Sequence, residues 1–288
     1  MNDFSYEILD LLKKYENDTN AALAGETCPQ CLYAFSPLRE NLFEWVEFEP
    51  DSRVLEIGSD YGAVTGILAK RAGQVVVLDP RDENLEVNRI RHGSIGNIRY
   101  VSGDLLHTAN PLAGTGFKEY RPKMDTGETA EDLMKTPFDY VVIGSFLELQ
   151  SKEEAVRLLR MAADLVKPGG TLFAAAENEL GVRYWMGAER LTPSFLEVEF
   201  RELFEALRAE HGGSFTMYYP VPDYRYPVTV YSDHYLPQTG DVTNISARLD
   251  GPGFWFGSEE EAMAKACRNG SFTKFANSFL GVWEKGTL

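Results

Sequence analysis

The sequence predicts an α/β fold built on a mainly parallel sheet, and three observations carry that prediction. From Arg53 onward, short apolar runs alternate with stretches of helical spacing, the pattern of right-handed βαβ units. Runs such as Val75-Val-Val-Leu78 and Tyr140-Val-Val-Ile143 are apolar at successive positions, as strands are when both faces of a sheet are covered. The first apolar run, Val54-Leu-Glu-Ile57, enters a turn holding Gly58 and Gly62 and then an amphipathic stretch. Strand, tight turn and helix in that order bring backbone N–H groups and a helix N-terminus to a ligand. Asp79 closes the second apolar run 23 positions after Glu56, about where a doubly wound fold sets a carboxylate against ribose hydroxyls.

Composition narrows the function. The 288 residues suffice for one large domain or a domain with an insertion, and 44% hydrophobic content is that of an ordinary globular protein. No apolar run approaches the roughly 20 residues needed to cross a bilayer. The start, Met1-Asn-Asp-Phe4, has no basic segment followed by an apolar one. A cytoplasmic protein with no membrane span is therefore expected. A formal charge of −16 repels a phosphate backbone and no basic patch offsets it, so nucleic acid is not expected as a partner. Cys28, Cys31 and Cys267 are too few for a four-thiolate zinc site, and no second Cys or His pair accompanies Cys28-Pro-Gln-Cys31. These thiols read as reduced and structural or incidental, with no metal expected; a redox or zinc role is the alternative.

Element by element, Ile8, Leu11, Leu12 and Tyr15 fall at helical spacing within residues 4–16. Residues 17–35 read as irregular. Ser36-Pro37 makes an N-cap and N1 pair for a helix through about Phe48, with Leu38, Leu42, Trp45 and Val46 inward. Strands are then expected at 53–58, 75–79, 98–102, 138–143 and 171–176, and helices at 62–73, 82–92 and 152–166. Lys167-Pro-Gly-Gly170 stops the last of these helices. Residues 107–137 read as an insertion near the carboxyl edge of the sheet, poor in periodicity. A linker with Tyr184-Trp185 follows Asn178. Beyond it come a helix at 194–209, a strand at 214–219, an aromatic-rich and proline-broken cap at 220–272 with a helix at 258–268, and a last strand at 277–284. Residues 1–35 form an N-terminal helical segment and 36–288 the main domain.

Glu56-Ile-Gly-Ser-Asp-Tyr-Gly62, Asp79, Gly103-Asp104, Phe138-Asp-Tyr-Val-Val-Ile-Gly144 and Leu165-Val-Lys-Pro-Gly-Gly-Thr-Leu172 stand in an order and spacing that resemble class I S-adenosylmethionine-dependent methyltransferases. The likeness covers roughly residues 36–180, and the ordered set is far more specific than the two-glycine turn, which serves nicotinamide and flavin enzymes equally. It implies a Rossmann-like, seven-stranded, mostly parallel sheet with an antiparallel last strand. It also implies that Gly58, Ser59 and Gly62 approach the methionine part of the cofactor, with Glu56 orienting the loop. Asp79, with Pro80 beside it, would take the ribose hydroxyls. Gly103, Asp104 and Leu105 would flank the adenine, and Gly144 and Ser145 would floor the site below the sulfonium. A cationic sulfonium favours an acidic, aromatic-lined site in any case, and ribose hydroxyls need an acceptor. Asp60 departs from the family pattern, which has glycine there, and adds a negative charge to the turn. Aspartate tolerates turn geometry better than most residues, so the departure does not by itself abolish binding, and its carboxylate is a candidate contact for the cofactor's amino group.

A narrower likeness rests on Ser36-Pro-Leu-Arg-Glu-Asn-Leu-Phe-Glu-Trp45, Ala176-Glu-Asn-Glu-Leu-Gly-Val-Arg-Tyr-Trp185, Tyr219-Pro-Val-Pro-Asp-Tyr-Arg-Tyr-Pro227, Tyr231-Ser-Asp-His-Tyr-Leu-Pro237 and Phe275-Ala-Asn-Ser-Phe-Leu280. These resemble bacterial methyltransferases that accompany glycosyltransferases in surface polysaccharide synthesis, and imply a small-molecule or glycan-like acceptor methylated on oxygen. Removing a hydroxyl proton requires a base. His234 is the leading candidate, with Asp233 and Asp223 as alternatives. Asn178, Tyr184, Trp185, Tyr224 and Tyr226 are candidates for holding the acceptor, against the plainer reading of packing aromatics. Arg39 is a candidate partner for a carboxylate, against an ordinary surface role. Two other readings stay open: a non-catalytic cofactor-binding partner of a glycosyltransferase, and an NAD-dependent oxidoreductase on a similar sheet.

Overall fold

The computed structural model describes residues 5–26, 29–108, 116–120, 129–146, 149, 151–243 and 256–287. Ten strands among them form one sheet: β1 (Arg53–Ile57), β2 (Gln74–Asp79), β3 (Ile98–Ser102), β4 (Lys118–Glu119), β5 (Phe138–Ile143), β6 (Val166–Asn178), β7 (Ser194–Phe195), β8 (Ser214–Val221), β9 (Thr229–Ser232) and β10 (Ser278–Glu284). Their order is β4-β3-β2-β1-β5-β6-β10-β8-β9, with β7 beside β6. β3, β2, β1, β5 and β6 run parallel, and β10 lies antiparallel between β6 and β8. The expected seven-stranded core with its inserted antiparallel strand is present. The sheet is wider than expected because β4, β7 and β9 are added to it. These strands have two to four residues, too few for alternation to show in a sequence.

The helices are α1 (Ser5–Lys14), α2 (Thr19–Gly25), α3 (Pro29–Phe35), α4 (Thr65–Arg71), α5 (Asp82–His92), α6 (Ala130–Lys135), α7 (Lys152–Leu165), α8 (Val182–Trp185), α9 (Glu197–His211), α10 (Glu259–Arg268) and α11 (Phe272–Phe275). The stretch read as irregular holds α2 and α3, each seven residues long. Asp18 starts α2 by accepting from Asn20 N at 2.9 Å and Ala21 N at 3.0 Å, an N-cap that precedes too short a helix for periodicity to reveal. Cys28 lies outside the described residues, as do parts of the 107–137 insertion and the 220–272 cap.

The helix expected through Phe48 is instead a 3₁₀ turn, Pro37–Leu42, capped by Ser36 Oγ on Leu38 N at 3.2 Å. It stops because the carbonyls of Glu44 and Val46 turn to the Arg71 guanidinium, at 2.7 and 3.0 Å. Trp45, expected inward, is 40% exposed and stacks on Tyr218. α7 ends at Leu165, ahead of the expected stop, and Lys167-Pro-Gly-Gly170 forms the irregular start of β6. A Cβ on Gly170 would stand 2.6 Å from Asp139 O, so only glycine lets β6 come this close to β5.

Residues alternate along each central strand between two cores. Leu55, Ile57, Val76, Leu78, Val141 and Ile143 join the core on the α6, α7 and α9 face, while Val54, Val75, Val77 and Val142 join that on the α4 and α5 face. Covering on both faces explains why no polar alternation marks these strands. A third cluster packs α1, α2 and α3 onto Tyr61 and onto Val87 of α5, so the N-terminal helices lie against the glycine turn. Trp283 of β10 is fully buried, and its indole N–H donates to Gly212 O at 3.1 Å. Trp283→Ala is expected to lower the unfolding free energy by about 3–5 kcal/mol, read as a reduced urea midpoint at an unchanged slope.

Candidate active site

At the carboxyl edge of β1, β2, β3 and β5 lies a cavity of about 270 Å³, the place where open α/β sheets take ligands. Gly58 and Asp60 line it from the turn after β1, Pro80 and Arg81 from the end of β2, Gly103, Asp104 and Leu105 from the end of β3, and Ser145 from beyond β5. Leu149 and, from α7, Glu154 and Leu158 complete the wall. Gly58 has φ +74°, and nothing lies within 4 Å of where its Cβ would be. The turn thus offers bare backbone to open space, the surface a close-approaching ligand needs.

Asp79 is fully buried behind that wall. It accepts from Ser59 N (2.8 Å), Ser59 Oγ (3.0 Å), Arg81 N (2.9 Å) and Asn84 Nδ2 (3.1 Å). It therefore fastens the turn after β1 to the start of α5. Burial pushes its carboxyl up, against the stabilising N–H donors of Arg81 and Ser59. Glu56, also fully buried, accepts from Thr65 Oγ1 at 2.6 Å, and Thr65 in turn accepts from Asn88 Nδ2 at 2.7 Å. Burial raises Glu56 to about 8. Asp104 caps the short turn after β3, accepting from Leu106 N at 2.8 Å, and its other oxygen meets His107 Nδ1 at 2.6 Å.

The turn after β1 is held under strain. Asp60 (φ 45°) and Tyr61 (φ 64°) both occupy the left-handed region, followed by Gly62 at φ 79°, a conformation that costs about 1–3 kcal/mol for each residue other than glycine. Surrounding groups impose it. Arg39 Nη1 and Tyr33 O–H both donate to Asp60 Oδ2. Arg91 Nη1 reaches both Tyr61 O and Ala34 O at 2.6 Å, and His92 Nε2 meets Gly62 O at 2.9 Å. Burial lowers His92 to about 4, so it stays neutral and donates to that carbonyl. Arg39 is 2% exposed, not the surface residue of the plainer expectation. Burial opposes its charge, but Tyr33 and Asp60 more than restore it. The charge that Asp60 adds to the turn is thus paired within the fold.

Seven of the candidate cofactor residues line the cavity directly: Gly58, Pro80, Gly103, Asp104, Leu105 and Ser145, assigned by resemblance, and Asp60, which departs from the family pattern. Glu56, Ser59, Gly62, Asp79 and Gly144 stand outside its lining, the first four of them engaged in the contacts above. Arg81, Leu106, His107, Leu149, Glu154 and Leu158 line it without having been singled out. Arg81 follows Asp79-Pro80 directly and was accessible to sequence reasoning. Leu149, Glu154 and Leu158 were not, since only packing of α7 on the sheet brings them there.

The candidate bases do not converge on this cavity. β9 runs antiparallel to β8, pairing Val221 with Thr229 and Tyr218 with Ser232, so the chain descends from the carboxyl edge and carries Asp233 and His234 away from it. Asp233 is bound by both Arg201 guanidinium nitrogens at 2.9 and 3.0 Å and by Tyr219 O–H at 2.7 Å, and His234 is exposed. Asp223 is at the carboxyl edge but is buried between Arg183 and Arg225. Burial works to raise it, yet Arg225 and Arg183 prevail and hold it at about 2. A carboxylate held so low is a poor proton acceptor.

Among the acceptor candidates, Asn178 is consumed structurally, donating to Lys274 O and Ala276 O at 2.9 and 2.6 Å and accepting from Leu180 N at 3.0 Å. Trp185 is 57% exposed, with its indole N–H on Leu180 O. Tyr184 O–H donates to Glu177 Oε2 at 2.7 Å. Tyr226 is buried over Arg225. Tyr224, fully buried, alone among these five reaches the cavity wall, its hydroxyl 3.0 Å from Ser145 Oγ.

No protein-family model matches the chain, and no curated protein matches it in sequence. Solved structures do match. A Haloferax volcanii putative methyltransferase, in complex with the Trm112 methyltransferase activator, superposes with TM-score 0.51 at 14% identity over 97% of each chain. Haemonchus contortus phosphoethanolamine N-methyltransferase 1, in complex with phosphoethanolamine and S-adenosylhomocysteine, superposes with TM-score 0.50 at 15% identity. That match covers 98% of this chain and 49% of the other, so this chain spans about half its length. The fold is the Rossmann-like fold of class I methyltransferases.

Glu56 yields a sign that can be checked. Its pKa rises from 4.5 in the unfolded chain to about 8 in the fold, so in that window the folded state binds the extra proton and stability falls as pH rises. Glu56→Gln is expected to gain on the wild type between pH 5 and pH 8, by up to about 1.4 kcal/mol per pH unit. Urea unfolding of both proteins at the two pH values measures it.

Proposed function

We propose that the protein is an S-adenosylmethionine-dependent methyltransferase acting on a small-molecule, saccharide-like acceptor, with oxygen as the methylated atom and S-adenosylhomocysteine as the second product. The observation that carries the reading is the bare Gly58 turn facing the cavity with Asp79 fastened behind it and Asp104 across from it. Gly58 and Asp60 would hold the amino-acid part of the cofactor. Pro80 and the Asp79 end of β2 would hold the ribose, and Gly103, Asp104 and Leu105 the adenine. Bound there, the cofactor supplies a methyl carbon made electrophilic by its sulfonium. Among the described residues no helix is long and apolar enough to cross a membrane.

The chain's own task is to present the acceptor and to take its proton. At this edge Asp60 is held by Arg39 and Tyr33, and Asp223 by two arginines. Glu177, at the end of β6, keeps Oε1 without a hydrogen-bond partner although the residue is buried. Burial holds its carboxyl above the usual range, despite Arg225 at 3.4 Å. A carboxylate so placed suits a general base better than His234 does. Burial and the nearby Glu177 charge also keep the Tyr224 phenol protonated, so it acts as a donor toward Ser145 or the acceptor.

Calorimetry with S-adenosylhomocysteine tests the cofactor site. The wild type is expected to bind it, and Gly58→Ala and Asp79→Ala to weaken binding at least about tenfold, a loss of 1.4 kcal/mol. A wild type that binds NAD but not S-adenosylhomocysteine would sink the reading. With methyl-labelled cofactor and a panel of saccharide acceptors, Glu177→Gln is expected to lower turnover by about 10²-fold or more, while His234→Ala leaves it unchanged.

A further inference from the structure

The turn after β3 gives the cavity both an apolar wall and a polar edge. Leu105 and Leu106 line the cavity from that turn, and Leu149 and Leu158 line it from α7 and the residues before it. Arg157 of α7 donates to Leu106 O and ties the two sides together. Apolar walls of this kind take a flat ring by contact and leave its orientation to a few polar groups. The same turn supplies two such groups to the cavity, Asp104 and His107.

Asp104 is engaged within its own turn. One oxygen accepts from Leu106 N at 2.8 Å, the other meets His107 Nδ1 at 2.6 Å, and its backbone carbonyl accepts from Thr108 Oγ1 at 2.8 Å. These contacts fix the His107 ring. Against a carboxylate Nδ1 must carry the proton, so in the neutral ring the other nitrogen, Nε2, is an acceptor. Nε2 makes no hydrogen bond among the described residues, and the His107 side chain is 82% exposed. Unlike the buried acids of the site, this acceptor is open to whatever enters the cavity that His107 lines.

We propose that His107 Nε2 accepts a hydrogen bond from the exocyclic amine of the cofactor's base, so that His107 is the residue that selects a 6-aminopurine over a 6-oxopurine, with Asp104 fixing the ring. This deepens the methyltransferase reading and rests on it for the presence of the base between the leucines. An amine presents a donor to Nε2. A 6-oxo group presents a second acceptor, and the lone pairs then face each other with no proton between them, a mismatch that a site built for an N–H rejects strongly.

The test compares S-adenosylhomocysteine with S-inosylhomocysteine, which differs from it only at C6 and N1 of the base, by calorimetry on the full-length protein at mildly alkaline pH, which favours the neutral imidazole. The wild type is expected to prefer the amino form by at least about tenfold. His107→Phe keeps a ring without an acceptor, and its preference is expected to fall to within about threefold of unity through loss of S-adenosylhomocysteine affinity alone. His107→Gln restores an acceptor and is expected to recover part of the preference. Urea midpoints equal to that of the wild type show that both variants are folded, as expected for so exposed a side chain. A preference unchanged in His107→Phe overturns the proposal and gives the amine to a carboxylate, Asp104 or Glu154. Equal weakening of both ligands in His107→Phe also overturns it, because that result marks His107 as packing. A wild type that binds the two ligands alike overturns the proposal and leaves the methyltransferase reading standing, whereas a wild type that binds neither removes both.

Discussion

The buried pairing of Arg39 with Asp60 is the interaction on which the site depends. It joins a 3₁₀ turn before β1 to the turn after β1, across 21 residues of chain, and it is made where water cannot screen it. Two consecutive residues other than glycine sit at positive φ in that turn. Such a conformation persists only when neighbours over-determine it. Arg39, Tyr33, Arg91 and His92 do so, clasping the turn from the N-terminal segment on one side and from α5 on the other. Removing one partner of such a pair leaves an uncompensated buried charge, at about 3–5 kcal/mol.

The same logic runs through the other buried acids of the site. Asp79 and Glu56 are fully enclosed and each is fed by donors from the turn or from the start of α4 and α5. Their role in the described fold is to set the backbone of the turn before any ligand arrives. A site whose donors are already oriented does not reorganise on binding, and that preorganisation is what the desolvation of two carboxylates maintains. Glu56 also keeps one buried oxygen, Oε1, without a hydrogen-bond partner, as does Glu177 at the end of β6.

The cap divides according to strand direction. The loop after β8 leaves the sheet at its carboxyl edge, so Asp223, Tyr224 and Arg225 gather over the site. β9 then reverses direction and takes Asp233 and His234 down the sheet. Residues ten apart in one aromatic-rich segment thereby have unrelated surroundings: Tyr224 meets Ser145, while His234 faces solvent.

By itself the sequence determined the central layer. The apolar runs, the glycine turn, Asp79 and the stop after Leu165 mark parallel strands and helices through local patterns, and local patterns survive in a linear text because their causes are local: propensity, capping and side-chain periodicity. Seven of the twelve candidate cofactor residues line the cavity for the same reason, each standing at or just beyond the end of a recognisable strand. Only the tertiary structure decided what surrounds that layer. α2, α3, β4, β7 and β9 are too short to announce a period, and the 3₁₀ turn at Pro37–Leu42 ends because a distant Arg71 claims its following carbonyls. The fate of each polar side chain was likewise beyond the sequence, since an arginine or an aspartate becomes a buried pair, a spent ion bridge or an open donor according to what packs against it. Arg39 looked like surface and is core; His234 looked like a base and points to water. Between them lies the turn at Asp60, whose residue type the sequence displayed and whose charge only the fold could neutralise.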